Sequence, residues 1–312
     1  MIDNKKIIVV TPAGRKRYME LLLKYILREK DIIDEYRIWV NTKNKEDIEY
    51  FHSLKKEYPG FITLDERFIE EPDCGINYNI YRFFDKCTDK DTIYIRLDDD
   101  IVWLQPDFIK SIATFRINNP KPFLVYGTIL NNAVIDSIVQ KLGLYEDFPF
   151  FEYSCMDSVA FNNPQICEQK HYHLISNYIS KLKNPPKLFD KWVLKNYERV
   201  SINCISWLGE TFERFEGIVG RDEEDWLSCV HPREMSSPNV VYGGAYCVHF
   251  AFGPQRDYLD KTNMLNQYNK ISNYLDIKAE NINFSKIKWN ELSDITKILI
   301  YQILLDNNEN NL

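Results

Sequence analysis

The stretch Thr92–Leu104, reading Thr-Ile-Tyr-Ile-Arg-Leu-Asp-Asp-Asp-Ile-Val-Trp-Leu, most constrains what this chain can fold into. Ile93, Tyr94, Ile95 and Leu97 form the β-branched, aromatic and aliphatic run of a buried strand. The run ends in three carboxylates, Asp98, Asp99 and Asp100. If the strand continues through them, Asp98 and Asp100 point one way and Asp99 the other. Two like charges about 6 Å apart at an effective dielectric near 20 repel by about 2–3 kcal/mol. A solvated turn after an edge strand would tolerate that, but the run before it reads as a central strand. The expectation is a hard divalent cation, Mg²⁺ or Mn²⁺, held by oxygen ligands and shared with phosphates. Open α/β sheets keep their ligands at the C-terminal ends of such strands.

Strand and helix patterns alternate around this stretch. Lys6–Val10 reads as a strand and Thr11-Pro12-Ala13-Gly14-Arg15-Lys16-Arg17 as a turn. A helix follows, with Tyr18, Leu21, Leu22, Tyr25 and Ile26 on its inner face. Arg15 and Lys16 oppose that helix's dipole, which suits an anionic partner such as phosphate. Tyr36–Val40 is a second strand ending at Asn41, Lys45–Tyr58 a helix, Phe61–Leu64 a third strand and Ile76–Cys87 an amphipathic helix. After the acidic strand, Pro106 is expected at the first position of a helix, and Phe123–Thr128 as a fifth strand. This rhythm predicts an α/β fold, with a mostly parallel central sheet and helices on both faces.

The later chain is less regular. Residues 131–196 show helices and loops; their His171-x-His173 pair lacks a convincing further zinc ligand. Val200–Ile205 is a strand candidate leading into Trp207, Leu208, Gly209 and Glu210. A glycine-bearing loop then runs into four acids, Asp222, Glu223, Glu224 and Asp225, followed by Trp226. Four acids exceed what a helix cap needs, so this is a second acidic centre. Val240–Phe252 is a returning strand with His249 near its end, either a satisfied core histidine or a metal ligand. Residues 256–312 form an expected helical tail, with Leu292, Ile295, Ile298 and Leu299 as an apolar stripe.

Composition narrows the function classes. A net charge of −7 excludes a global nucleic-acid footprint. Seven cysteines with no Cys-x-x-Cys fit free thiols in a reducing, cytoplasmic compartment. The polar opening carries no expected leader, and no apolar run reaches the length of a membrane span, so membrane contact would be peripheral.

In this order the motifs resemble the nucleotide-sugar-dependent glycosyltransferases of the GT-A fold, a Rossmann-like α/β architecture, across roughly residues 5 to 255. The resemblance implies that Thr11, Pro12, Ala13, Gly14 and Arg15 grip the nucleotide. It matches Asp98-Asp99-Asp100 to the Asp-x-Asp motif, with Asp98 on the ribose side, Asp99 beside the donor and Asp100 on Mn²⁺ or Mg²⁺. His249 would be a further metal ligand. Asn41 stands where many inverting relatives carry a base-binding Asp. The second acidic centre would supply the general base from Glu223, Glu224 or Asp225, with Trp207, Gly209, Glu210 and Trp226 on the acceptor side. The implied reaction is metal-dependent transfer from a nucleoside-diphosphate sugar, with UDP favoured, to a glycan or glycolipid hydroxyl with inversion. The implied division is a transferase domain 1–255, with a donor half 1–130 and an acceptor half 131–255, then a helical extension 256–312. Two rivals stand beside it: a haloacid-dehalogenase-type phosphatase with Asp98 as nucleophile, and a sugar-nucleotide-binding module without catalysis.

Overall fold

The computed structural model describes residues 1–75, 77–179 and 183–275. In chain order it contains β1 (Lys6–Ala13), α1 (Lys16–Arg28), β2 (Glu35–Val40), α2 (Lys45–Glu57), β3 (Ile62–Asp65) and a 3₁₀ segment (Asn77–Lys86). There follow β4 (Thr92–Leu97), β5 (Ile101–Leu104), α3 (Phe108–Asn118), β6 (Val125–Leu130), α4 (Ala133–Lys141) and α5 (Pro164–Asn177). Next come β7 (Lys191–Val193), β8 (Cys204–Leu208), α6 (Gly209–Glu213) and α7 (Glu223–Asp225). A π turn (Trp226–Val230), α8 (His231–Glu234), β9 (Val240–His249), α9 (Gly253–Leu259) and α10 (Met264–Leu275) complete the described chain.

The strands join in one sheet of order β3-β2-β1-β4-β8-β6-β9-β5, with β7 also on β9. β1 to β4 are mutually parallel, and β6 and β9 share their direction. β5, β7 and β8 run the other way, so the sheet is mixed but mostly parallel. β4, β6 and β8 are buried at every position, which requires cover on both faces. The periodic helix positions read from the sequence are the packed ones: Tyr18, Leu21, Leu22, Tyr25 and Ile26 of α1 are all buried.

Four local expectations are corrected. Thr92–Leu104 is not one strand. β4 stops at Leu97, the three aspartates make a turn, and the chain resumes as β5 beside β9. β1 runs on through Pro12 and Ala13, paired with Trp39 and Val40 of β2. Its pairing with β4 ends at Val10, so the missing N–H of Pro12 breaks no ladder there. Pro106 lies ahead of α3, which starts at Phe108 after a left-handed Asp107. The segment 77–86 is wound as 3₁₀ turns rather than an α-helix. The expected tail begins inside α9, and its stripe at Leu292–Leu299 lies outside the described residues.

Candidate functional site

The C-terminal ends of β1, β4 and β9 and the N-terminal end of antiparallel β8 meet at one edge of the sheet, because Val10 pairs with Arg96 and Leu97 with Cys204. The Asp98–Asp100 turn sits there. Since the strand has ended, side chains no longer alternate, and Asp99 and Asp100 turn to the same guanidinium. Asp99 accepts from Gly14 N (3.0 Å) and from Arg15 Nε (3.1 Å), and also pairs with Arg15 Nη2. Asp100 Oδ2 accepts from Arg15 Nη2 (3.1 Å) and Arg256 Nη2 (2.9 Å), while Oδ1 faces His249 Nε2 at 3.5 Å.

Asp98 turns the other way. Its Oδ1 accepts from Arg96 Nε (3.1 Å) and Nη2 (2.9 Å), and its Oδ2 from Asn203 Nδ2 (3.1 Å). Both oxygens are therefore engaged by protein donors, an arrangement that disfavours Asp98 as a phosphatase nucleophile. The expected pairing of Asp98 with Asp100 is replaced by Asp99 with Asp100.

Burial sets the protonation of these acids, and the neighbours then separate them. Burial would raise Asp100, but Arg15, His249 and Arg256 outweigh it and hold the carboxyl well below the usual range. Burial raises Asp99 despite Arg15. At the second acidic centre burial pushes Glu223 up to about 7, with Asp98 and Glu224 adding to the rise and Arg96 opposing it. Glu223 is 8% exposed. Its neighbours serve a different purpose: Arg199 donates to Asp222 (2.8 Å) and Glu224 (3.0 Å), and the Asp222 carboxylate caps Asp225 N at 3.1 Å. Among Glu223, Glu224 and Asp225, only Glu223 is buried.

Asp100 and His249 offer one oxygen and one imidazole donor to a divalent ion. His249 Nδ1 lies 3.0 Å from the Asn131 carbonyl oxygen, which can only accept. Asp100 Oδ1 faces the other ring nitrogen, Nε2, so the ring is aimed along the line from the Asn131 carbonyl to the Asp100 carboxylate. A ring held this way beside a carboxylate is the usual preparation of a metal-ligating pair. Among the described residues no three His, Cys, Asp or Glu side chains converge. The two donors thus fit an ion that completes its shell with phosphate oxygens and water, as Mg²⁺ commonly does.

The nucleotide-side residues are partly dispersed. Gly14 and Arg15 reach the aspartates, but Thr11 is buried, its hydroxyl receiving the Tyr36 proton donor at 3.1 Å, and Ala13 is buried in β1. Asn41 Oδ1 accepts from Gly75 N at 2.9 Å, a loop tie close to Gly14, whose added Cβ would lie 3.1 Å from Asn41 O. A recess of about 400 Å³ lined by Arg15, Lys16, Arg17, Glu20, Glu46 and Asp47 opens beside Arg15.

On the acceptor side three expectations are corrected. Leu208 pairs with Ile93, at the far end of β4 from the aspartates, so Trp207, Gly209 and Glu210 sit at the wrong edge of the sheet. Trp207 is fully buried, donates from Nε1 to Cys87 O (3.2 Å) and stacks on Tyr94 at 5.4 Å. Gly209 is a packing glycine: an added Cβ would lie 2.0 Å from Asp89 O. Glu210 is exposed on α6. Trp226, one turn after Glu223, is half-buried, stacks on His231 at 4.2 Å and covers Gly220. Both ring nitrogens of His171 are occupied, by the Tyr268 hydroxyl and Phe250 O, each at 2.8 Å.

The sequence reading missed Arg96, Asn203 and Arg256. A charge inside an apolar strand was the available signal for Arg96, which is 3% exposed with Nη1 unpartnered among the described residues. Arg256 falls just past the expected boundary at 255, which cuts through α9.

No family model matches this chain, and no curated protein matches it. Among solved structures it is similar to a mycobacterial protein at 16% identity and TM-score 0.31, over 40% of this chain and 41% of that one. It is similar to CMP:2-keto-3-deoxy-manno-octonic acid synthetase complexed with CTP at 8% identity and TM-score 0.42, over 82% and 96% of the two chains. It is also similar to S. aureus TarS at 12% identity and TM-score 0.42, over 96% of this chain and 70% of that one. The chain spans less than half the length of the mycobacterial protein. The class defined is a mixed α/β protein with a polar site at one end of its sheet.

Proposed function

We propose that this chain is a GT-A-type glycosyltransferase that moves a sugar from a nucleoside-diphosphate sugar, a UDP-sugar foremost, to a hydroxyl of a glycan or glycolipid, with inversion. The observation that carries this reading is the pairing of two unlike groups at one sheet edge. Glu223, raised to about 7, neighbours Asp98, and the Arg15–Asp99–Asp100–Arg256 cluster lies on the other side of the same three-residue turn. A base near neutral pH and cations for a diphosphate are what such a transfer needs. Residues 1–130 would supply most of the donor side and 131–255 the acceptor side, with Arg256 joining the donor side.

Asp100 and His249 would hold Mn²⁺ or Mg²⁺, which when bound neutralises charge on a diphosphate. Arg15 and Arg256 orient the diphosphate and accept its growing charge through guanidinium donors. Glu223, as carboxylate, takes the proton from the acceptor hydroxyl. That oxygen forms its bond to the anomeric carbon on the face opposite the diphosphate. The bond from the anomeric carbon to the diphosphate oxygen breaks, and its electron pair leaves with the diphosphate. Asp98, fixed by Arg96 and Asn203, keeps the turn between the two centres in place.

The test is a panel of nucleotide sugars with Mn²⁺ and hydroxyl acceptors, read by diphosphate release and by the anomeric configuration of the product. Turnover with inverted product from one donor supports the reading. Failure of every donor to bind or turn over overturns it.

A further inference from the structure

Behind His249 lies a buried polar network with no direct part in the steps above. Lys170 of α5 is fully buried and donates from Nζ to Asp136 Oδ2 (2.7 Å), Asn131 Oδ1 (2.7 Å) and Ala160 O (3.3 Å). All three protons of the ammonium group are thereby used. Asp136 of α4, also fully buried, accepts with Oδ1 from Asn131 N at 3.0 Å. Asn131 is held in the left-handed region at φ 63°. That conformation is uncommon for a residue with a side chain, and here the ion pair fixes it from both its amide and its side chain.

Asn131 passes this constraint to the site in two directions. Its carbonyl oxygen takes the His249 Nδ1 proton at 3.0 Å. Its Nδ2 donates to Gln255 Oε1 (3.1 Å) and Phe250 O (3.2 Å). Gln255 Oε1 also accepts from Phe252 N at 3.0 Å, at the start of α9, and the next residue, Arg256, reaches Asp100 at 2.9 Å. One asparagine therefore sets both the ring and the helix that converge on Asp100.

We propose that Asn131, locked by the buried Lys170–Asp136 pair, is the positioning residue that orients the His249 ring through its Nδ1 and seats Arg256 on Asp100. A buried ion pair adds little net stability compared with apolar residues of the same shape, so its role here is assigned to the single geometry it imposes. The inference rests on the donor-site reading for its purpose, but the geometry can be tested without a donor. Outer partners of metal-binding histidines typically alter metal affinity 10- to 100-fold when removed.

The experiment records ¹⁵N spectra of the imidazole rings in metal-free protein, with the His249 signals assigned through His249→Gln. Two variants are compared with wild type. Asn131→Gly retains access to positive φ and leaves Lys170 paired with Asp136. Lys170→Met combined with Asp136→Leu removes both charges together and leaves neither alone in the core. The expected result is a hydrogen-bonded Nδ1 proton in wild type, loss of that signature in the folded variants, and a Mn²⁺ dissociation constant raised about 10- to 100-fold in them. Folded Asn131→Gly protein with the wild-type Nδ1 signature and Mn²⁺ affinity overturns the proposal, as does a wild-type ring protonated on Nε2 alone. If wild type shows the hydrogen-bonded Nδ1 proton and the variants lose it, but no variant or wild type binds Mn²⁺ or a UDP-sugar, the positioning role stands and the donor reading fails.

Discussion

Arg256 Nη2 lies 2.9 Å from Asp100 Oδ2, although the two residues are 156 positions apart. The contact joins α9 to the turn after β4 and sets a second guanidinium on the oxygen that Arg15 also reaches. It also brings Arg256, and with it the first turn of α9, into the polar site.

Arg256→Ala is expected to raise the donor KM by about 30-fold, the equivalent of one charge-assisted hydrogen bond of about 2 kcal/mol. Arg256→Lys should recover only part of this, because a point charge cannot span two acceptors as the planar fork does. Steady-state kinetics with a fixed acceptor measure both.

Glu223→Gln is expected to lower kcat by about 10²–10⁴ with little change in donor affinity. Glu224→Gln, which breaks only the half-exposed pair with Arg199, should lose far less. Equal losses in the two variants would remove Glu223 as the sole base.

With its base near 7, kcat/KM should climb between about pH 6 and 8 and then level off. Stability should move the other way. The native Glu223 keeps its proton from the ordinary value of 4.5 up to about 7, where the unfolded chain has lost it, so stability falls with rising pH across that window. Above the window the accumulated penalty is about 3 kcal/mol. Glu223→Gln should therefore be more stable than wild type at pH 8 and indistinguishable at pH 4, measured by chemical denaturation.

Asp100→Ala leaves Arg15 and Arg256 without their shared carboxylate. It should cost about 3–5 kcal/mol of stability and abolish metal-dependent UDP-sugar binding. Calorimetric titration in folded protein reads the second effect, and unchanged binding would remove Asp100 from the donor site.

Trp207→Phe should cost about 1–3 kcal/mol through the vacated volume and the unpaired Cys87 carbonyl. Acceptor KM should not move, since Trp207 lies at the far edge of the sheet. A raised KM would return this tryptophan to the acceptor side.

Much of the fold was legible in residue order. The apolar stripe of α1, the apolar run Ile93–Ile95 of β4 and the alternation of strands with helices each report local burial, and the structure buries them. The importance of the acidic turn was also legible, because three carboxylates after a buried strand demand partners wherever the chain goes. Which partners they find was not. Alternation assigned Asp98 and Asp100 to one face, but it holds only while a strand lasts, and β4 ends at Leu97. Trp207 and Gly209 read as a site-lining loop, while antiparallel pairing carries them to the opposite edge.

The sequence by itself determined the periodicities, the buried strands and the two acidic centres, since these follow from each residue and its near neighbours. Tertiary structure alone decided that Asp99, not Asp98, shares Arg15 with Asp100, that Glu223 loses its water and Glu224 does not, and that Arg256 and His249 meet at one carboxylate. Those outcomes depend on which strands become neighbours. β5 pairs with β9, some 145 residues later, and no local pattern records a hydrogen bond made across that distance.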